Sequence, residues 1–286
     1  MADSRVLIGA PATLTVTFYD GGETSVDPGT VTVTIVRADG TAVATAAATS
    51  GTGTSARTYT LAAQTRLDHL TATWTGTTGA RVMTTRHEIV GGFYAELAEI
   101  RALDALNNTT KYPAAILERA RWQAEAKFED ATGVAWVPRH DRQTAFGDNT
   151  TQLLLRWPRP RSLIAVSVDG TAVSDLTTFS TYDTGLLERK SGVTFPRGTT
   201  SSGNVTVEYT HGYDRPTEDI RMAFLNYVRY LILDTTSRIP DRASAYSTEF
   251  GTFQLVTAGF NRPTGLPEID AILNQHSHRV AGVGAV

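Results

Sequence analysis

At 286 residues, 41% hydrophobic and 19% charged, the chain is long enough for two domains and a sizeable core. A formal net charge of −3 argues against a general nucleic-acid binder, and the absence of cysteine excludes disulfides, zinc thiolate sites and thiol chemistry. The first residues lack the basic-then-apolar run of a signal peptide, and no apolar segment reaches the roughly 18 residues of a membrane span, so a soluble protein made in the cytoplasm is expected.

Residues 1 to about 90 are rich in Thr, Val, Ala and Gly. Residues 13–19 (TLTVTFY), 30–37 (TVTVTIVR), 56–61 (ARTYTL), 70–74 (LTATW) and 81–90 read as strands, separated by turn chemistry such as Asp20-Gly21-Gly22 and Asp27-Pro28-Gly29. Six or seven short strands without a helical period point to an antiparallel β-sandwich of immunoglobulin type over residues 1–91. After Gly91-Gly92 the pattern changes. Residues 93–106 (FYAELAEIRALDAL) place Leu97, Ile100, Leu103 and Leu106 on one helical face, with Asn107-Asn108 as the stop. A second helix starts at Pro113 and closes at Gly133, with Ile116, Leu117, Ala120, Ala124 and Phe128 on its apolar stripe. Glu118, Arg121, Glu125 and Glu129 lie on the other side, spaced for solvent-exposed pairing.

From about 136 to 210 strands return, at 153–157, 162–168, 179–181, 185–188, 193–195 and 205–210. The last leads through Pro216 into the longest apolar helix, where Glu218 and Asp219 suit the first turn and Ile220, Ala223, Phe224, Tyr227 and Leu231 form one face. Residues 244–259 show no firm helical period, residues 266–274 read as a short helix, and the tail that follows reads as polar and solvated. The fold class is therefore α+β and multidomain. Its expected parts are the sandwich (1–91), a mainly helical domain with a β insertion at about 136–210 (92–242), and an extended C-terminal arm (243–286).

The search for an active site comes up empty: no nucleophile elbow, phosphate loop or zinc-protease helix is present. His276 and His278 lie two apart without a third ligand nearby. Asp20, Glu23 and Asp27 fit ordinary turns better than a calcium loop, and Asp214, Glu218 and Asp219 fit helix capping better than paired catalysis. No cofactor, metal or enzymatic activity is expected. A basic cluster of Arg139, His140, Arg142, Arg156, Arg159 and Arg161, interleaved with Trp157 and prolines, suits contact with another subunit, a partner or a phosphate backbone; the plain alternative is local pairing in a solvated loop.

Taken in order, the helix pair, Val137-Pro138-Arg139, RWPRPRSLIAVSVDGTAV, GLLERKSGVTFPRG, VTVEYTHGYDRPTEDIRMAFLNYV, Glu249-Phe250-Gly251 and GLPEIDAILN make residues 93–275 resemble the head-to-tail connector (adaptor, or head-completion) family of long-tailed double-stranded DNA bacteriophages. The resemblance implies a non-enzymatic virion protein at the head–tail junction, made in the host cytoplasm and assembled with itself as a ring, expected to be a dodecamer, beneath the portal protein. It maps portal docking to residues 243–286, hence to Phe250, Phe253, Leu255, Ile269, Ile272 and Leu273. Contact with the next tail-side ring, a stopper or tail terminator, maps to about 146–202. Genomic DNA would pass through the lumen without sequence-specific binding, and no membrane is involved. The sandwich lies outside this pattern and reads as a peripheral decoration touching the major capsid protein or a host surface. A carbohydrate- or cell-surface-binding module built on that sandwich is the alternative, and a phage hydrolase a third reading.

Overall fold

A computed structural model describes residues 4–190, 192–198, 203–234, 245–248, 251–254 and 263–277. The chain divides into two compact units that do not follow sequence order: residues 1–92 with 138–212, and residues 93–137 with 213–286.

The first unit begins with seven strands: β1 (Ser4–Leu7), β2 (Ala12–Thr17), β3 (Val31–Arg37), β4 (Ala42–Ala48), β5 (Ala56–Leu61), β6 (Asp68–Gly76) and β7 (Val82–Val90). They form a five-stranded sheet ordered β1-β7-β6-β3-β4 and a two-stranded sheet β2-β5. Alternation decides the inner face. Val31, Val33 and Ile35 of β3 and Leu70, Ala72 and Trp74 of β6 are buried, and both sheets contribute to one cluster with Leu14, Val16 and Phe18. The sandwich was expected to be antiparallel, but β1 pairs with β7 in parallel, so the larger sheet is mixed. Two strands carry no clear signal in the sequence. β1 is four residues long, and β4 is largely alanine, with bulges against β3 and Ala46 at φ 45°.

The inserted part of this unit has two small antiparallel sheets. One is ordered β11-β10-β14-β8, from β8 (Arg139–Ala145), β10 (Pro160–Val168), β11 (Thr171–Ala172) and β14 (Val205–His211). The other is ordered β12-β13-β9, from β9 (Gln152–Leu154), β12 (Phe179–Thr181) and β13 (Leu186–Arg189). Their core joins Val166, Val205, Val207 and Tyr209 to Leu153, Leu187, Phe179 and Phe195. The expected strand at 193–195 is irregular; Phe195 is buried, and its N–H donates to the Thr150 carbonyl at 2.7 Å.

The second unit holds α1 (Leu97–Ala102), α2 (Ala114–Thr132), α3 (Glu218–Asp234), a hairpin of β15 (Ala245–Thr248) and β16 (Gly251–Gln254), and α4 (Pro267–Gln275). The first helix is shorter than its apolar spacing predicts. Glu96 and Glu99 form a reciprocal capping box that starts the helix at Leu97, and Leu103 is already extended. α2 keeps its predicted limits, with Pro113 before its first turn and Gly133 in the left-handed conformation (φ 72°) at its end. α3 buries Ile220, Ala223, Phe224 and Tyr227 of its predicted stripe, with Leu231 partly buried, and also Leu225, Val228 and Ile232, making it the central helix of the unit.

Two expectations change here. The charged side of α2 is not solvated: Arg121, Glu125 and Glu129 are buried. Residues 93–95 cover it, with the Arg121 guanidinium 3.6 Å from the Phe93 ring centre and the Tyr94 N–H donating to Glu125 Oε1 at 3.1 Å. The C-terminal segment, in turn, is not wholly an extended arm, because α4 packs on α2 and α3 with Ile269 and Leu273 buried in the shared core.

Phe224 is fully buried against Tyr94, Phe128 and neighbouring apolar groups, with ring centres 5.1 and 5.7 Å away. Phe224→Ala should therefore lower stability by about 3–5 kcal/mol, read from the denaturant midpoint at unchanged slope. Ending the chain before α4 should also destabilise the helical unit, by roughly 1.5–3 kcal/mol for each of Ile269 and Leu273, seen as an earlier helical melt by circular dichroism.

Candidate interaction surfaces

The three-stranded sheet of the inserted region turns one face to the core and leaves the other open. Leu153, Leu187 and Phe179 point inward. On the outer face Leu186 pairs with Leu154, and the Tyr182 N–H continues the ladder to the Leu186 carbonyl at 2.9 Å. Leu154, Leu186 and Tyr182 thus form one apolar row across the sheet, with Leu154 69% and Tyr182 45% exposed. The Tyr182 hydroxyl donates to Glu188 Oε2 at 2.6 Å, which fixes the ring at the end of that row and raises its pKa. The continuous run LLLRW conceals this arrangement; only strand register separates inward Leu153 from outward Leu154.

A different kind of face lies on the helical unit. Met222, Asn226 and Tyr230 are exposed at four-residue spacing on α3, and Ile116 is exposed on α2. Tyr230 stacks on Tyr227 with ring centres 6.3 Å apart, so its position is set by the core beneath.

The arginines singled out from sequence do not form one patch. Arg139 and Arg142 lie on β8, a strand that charge on both faces hides from pattern reading. Arg139 is buried, its Nε 3.7 Å from Glu88 Oε1. Arg142 donates to the Ala38 carbonyl at 2.6 Å and Arg156 to Asp141 Oδ1 at 3.1 Å. Arg159 lies 3.6 Å from Asp183, and Arg161 donates to the Gly212 carbonyl at 3.4 Å. Of the docking residues implied by resemblance, Ile269 and Leu273 are in the core of their own unit and Ile272 packs against it. Phe250, Leu255 and the side chain of Phe253 lie outside the described residues.

The acids stand as local ties. Asp20 and Asp27 accept from the N–H groups of Gly22 and Gly29, and Asp27 also pairs with buried Arg57. His276 is not a solvated tail residue: its Nε2 is 2.5 Å from Asp219 Oδ2, and its ring stands edge-on to Trp136, which stacks on Tyr213. His278 lies outside the described residues. Among those residues no group of three is placed to hold a metal ion. An open cleft of about 710 Å³ in the helical unit is lined by Phe93, Glu96, Glu99, Arg215, Glu218 and Arg221, with Arg221 paired to Glu99 and Glu218.

Within the first unit, the N-terminal strands meet the inserted sheet through polar contacts. Arg5 Nε donates to Glu88 Oε2 at 2.9 Å. Burial pushes the Glu88 carboxyl up, but the Arg139 and Arg5 charges beside it hold it down to about 2. The ring of His69 donates from Nε2 to the His140 carbonyl at 3.1 Å and stands edge-on to the His140 ring at 5.6 Å. His140 Nε2 is 3.1 Å from Glu208 Oε1. Arg66 reaches Asp39 (2.7 Å), Asp68 (2.8 Å) and Glu208 (3.9 Å). Burial drives the His211 ring down to about 3, against the pull of Glu88 and with Arg139 adding to the shift.

No protein-family model matches the chain, and no curated protein matches it. Among solved structures it is similar to a chain from the neck of an empty GTA particle computed with C6 symmetry, at 17% identity and a TM-score of 0.45. That alignment covers 67% of this chain and 93% of the other. A chain from the virion of a native gene transfer agent particle aligns at 16% identity with the same coverage and a TM-score of 0.44. A chain from titin domains z1z2 in complex with telethonin aligns at 13% identity and a TM-score of 0.21, over 75% of this chain and 91% of the other.

The hydrogen bond from Thr217 holds the Asp219 carboxyl down to about 2, against some desolvation, and His276 adds to the effect. His276→Ala should raise that value part of the way toward 3.8, measured by carboxyl NMR titration, while Thr217 keeps it below the ordinary range.

Proposed function

We propose that the chain is a structural head-to-tail adaptor of a phage-like particle, forming a ring beneath the portal that joins the head to tail-side components. The observation that carries this reading is that the described residues expose two unlike faces, the apolar sheet row Leu154–Leu186–Tyr182 and the mixed helical stripe Met222–Asn226–Tyr230. Exposed apolar patches mark contact sites, and a subunit stacked between two different rings needs one such face for each. The order of segments over 93–275 supports the same reading. A net charge of −3 suits a lumen through which DNA must slide, since each phosphate contact would add salt-dependent attachment.

In this reading the sheet row of the inserted region meets the next tail-side ring, and the exposed stripe of α3 meets the portal. The apolar face of α4 serves the subunit's own core, which favours α3 as the docking face. The surface-binding alternative is less favoured because Trp74, the one tryptophan of the N-terminal strands, is fully buried with its Nε1 donating to Thr85 Oγ1 at 2.9 Å.

Leu154→Glu and Met222→Glu test the assignment. Each replaces an exposed side chain, so each should leave the unfolding free energy within about 0.5 kcal/mol. By electron microscopy of the chain mixed with portal rings, Met222→Glu should lose attachment to the portal. Leu154→Glu should still attach but fail to recruit the tail-side component. Full assembly by both variants would sink the proposal.

A further inference from the structure

The N-terminal strands and the inserted sheets have separate hydrophobic clusters with no shared residue, and the seam between them is made of buried charge and imidazole. Two histidine rings there are incompletely satisfied: Nδ1 of His140 and Nδ1 of His211 are buried without a hydrogen-bond partner. A neutral ring leaves only an unfilled acceptor at such a place, whereas a protonated ring brings a buried N–H and a positive charge.

We propose that this seam is an acid-opened joint, at which histidine protonation releases the N-terminal β-module (residues 4–90) from the inserted sheet while both hydrophobic clusters remain folded.

The charged groups facing each ring decide what protonation does. His211 on β14 is surrounded by Glu88 of β7, Arg139 and His140 of β8 and His69 of β6, with Trp157 stacked on it at 5.2 Å. His140 faces His69 and Glu208, and Glu208 is already within reach of Arg66. Near neutrality the arginines are balanced by Asp39, Asp68, Glu88 and Glu208. Protonating the rings would add cations 5.6 Å apart at the His69–His140 contact, beside guanidinium groups that cannot lose charge.

Timing follows from the carboxylates. Glu88 stays ionised down to about 2, and Arg66, after some desolvation, keeps Asp39 well below the usual range. In mild acid the group whose charge differs between the closed and the open joint is therefore His211. For His211 the folded value lies below its ordinary 6.5, so the open state takes the proton first. Stability from its burial is complete above about 6.5 and declines as the pH falls toward 3.

The joint also has a pivot. Gly91 donates its N–H to the Pro138 carbonyl at 2.9 Å, and a Cβ on Gly91 would lie 2.6 Å from Pro138 Cβ. The Gly91 backbone thus meets both the carbonyl and the ring of Pro138 where the module's last strand leads out and β8 begins, a contact that does not depend on the histidines.

The absence of cysteine makes a direct test possible in the full chain. Thr41→Cys and Thr171→Cys place exposed label sites close to Asp39 and Ala172, which line one notch of about 300 Å³. Spin-label distances should be short and narrow at about pH 7.5 and should lengthen and broaden by about pH 4.5, with the near-UV circular dichroism retained. In the His140→Gln, His211→Gln double variant the opening midpoint should fall by at least about one pH unit, or opening should vanish. On the unsubstituted chain, imidazole NMR should show His211 titrating across the range of opening. The proposal is overturned by an unchanged distance, by lengthening only together with loss of tertiary signal, by a double variant with the original midpoint, or by rings that stay neutral while the joint opens.

Discussion

A carboxylate taken out of water needs a donor or a cation beside it, and in this chain Glu88, Glu125 and Glu208 each have one. Those partners come from distant parts of the sequence. Glu125 of α2 accepts from the backbone of Tyr94 and so draws the segment after Gly92 onto the helix. Glu88 of β7 gathers Arg5 and Arg139, which ties the first strand and the start of β8 to one position. Apolar burial supplies most of the driving force for folding, but it is non-directional. Which segments meet, and in what register, is set by the few charges whose desolvation leaves them no alternative pairing.

The same rule explains what could be read from sequence and what could not. Apolar spacing identified α2, α3 and α4 and most strands of the N-terminal sheets, because each buries one face against a continuous core. It failed where polar residues are buried. β8 reads as a basic loop from its letters, RHDRQTA, yet nearly every one of its side chains has an acid, carbonyl or ring to meet. Arg121, Glu125 and Glu129 look like a solvated helix face until residues 93–95 are laid across them. The exposed row was hidden for the opposite reason: Leu154 is one of three consecutive leucines, and nothing local says which of them faces away from the core.

A division between apolar cores and a polar seam also divides stability. Local opening follows the weakest boundary, and a boundary of charge and imidazole responds to salt and acid where an apolar core does not. The parallel pairing of β1 with β7 adds to this, since Arg5 sits on β1 and holds Glu88 from the edge of the sheet. Movement at the seam can therefore leave β1 in place, with the Arg5–Glu88 pair intact, while the Arg139 contact is lost.

The exposed faces are small, and their size bears on how the proposed subunit would join its neighbours. Fully burying a side chain such as Leu154 contributes about 1.5–3 kcal/mol, whereas bringing two free proteins together costs an estimated 4–15 kcal/mol or more in lost translational and rotational freedom. One row of three residues that are already partly covered does not comfortably exceed that cost, so a lone subunit would hold a single partner weakly. A subunit placed on an existing ring is different. Its second contact forms at an effective concentration set by the first, and the entropy of association is lost only once. Small faces thus suit the proposed role, in which a subunit would hold stably only where a template already offers it more than one contact.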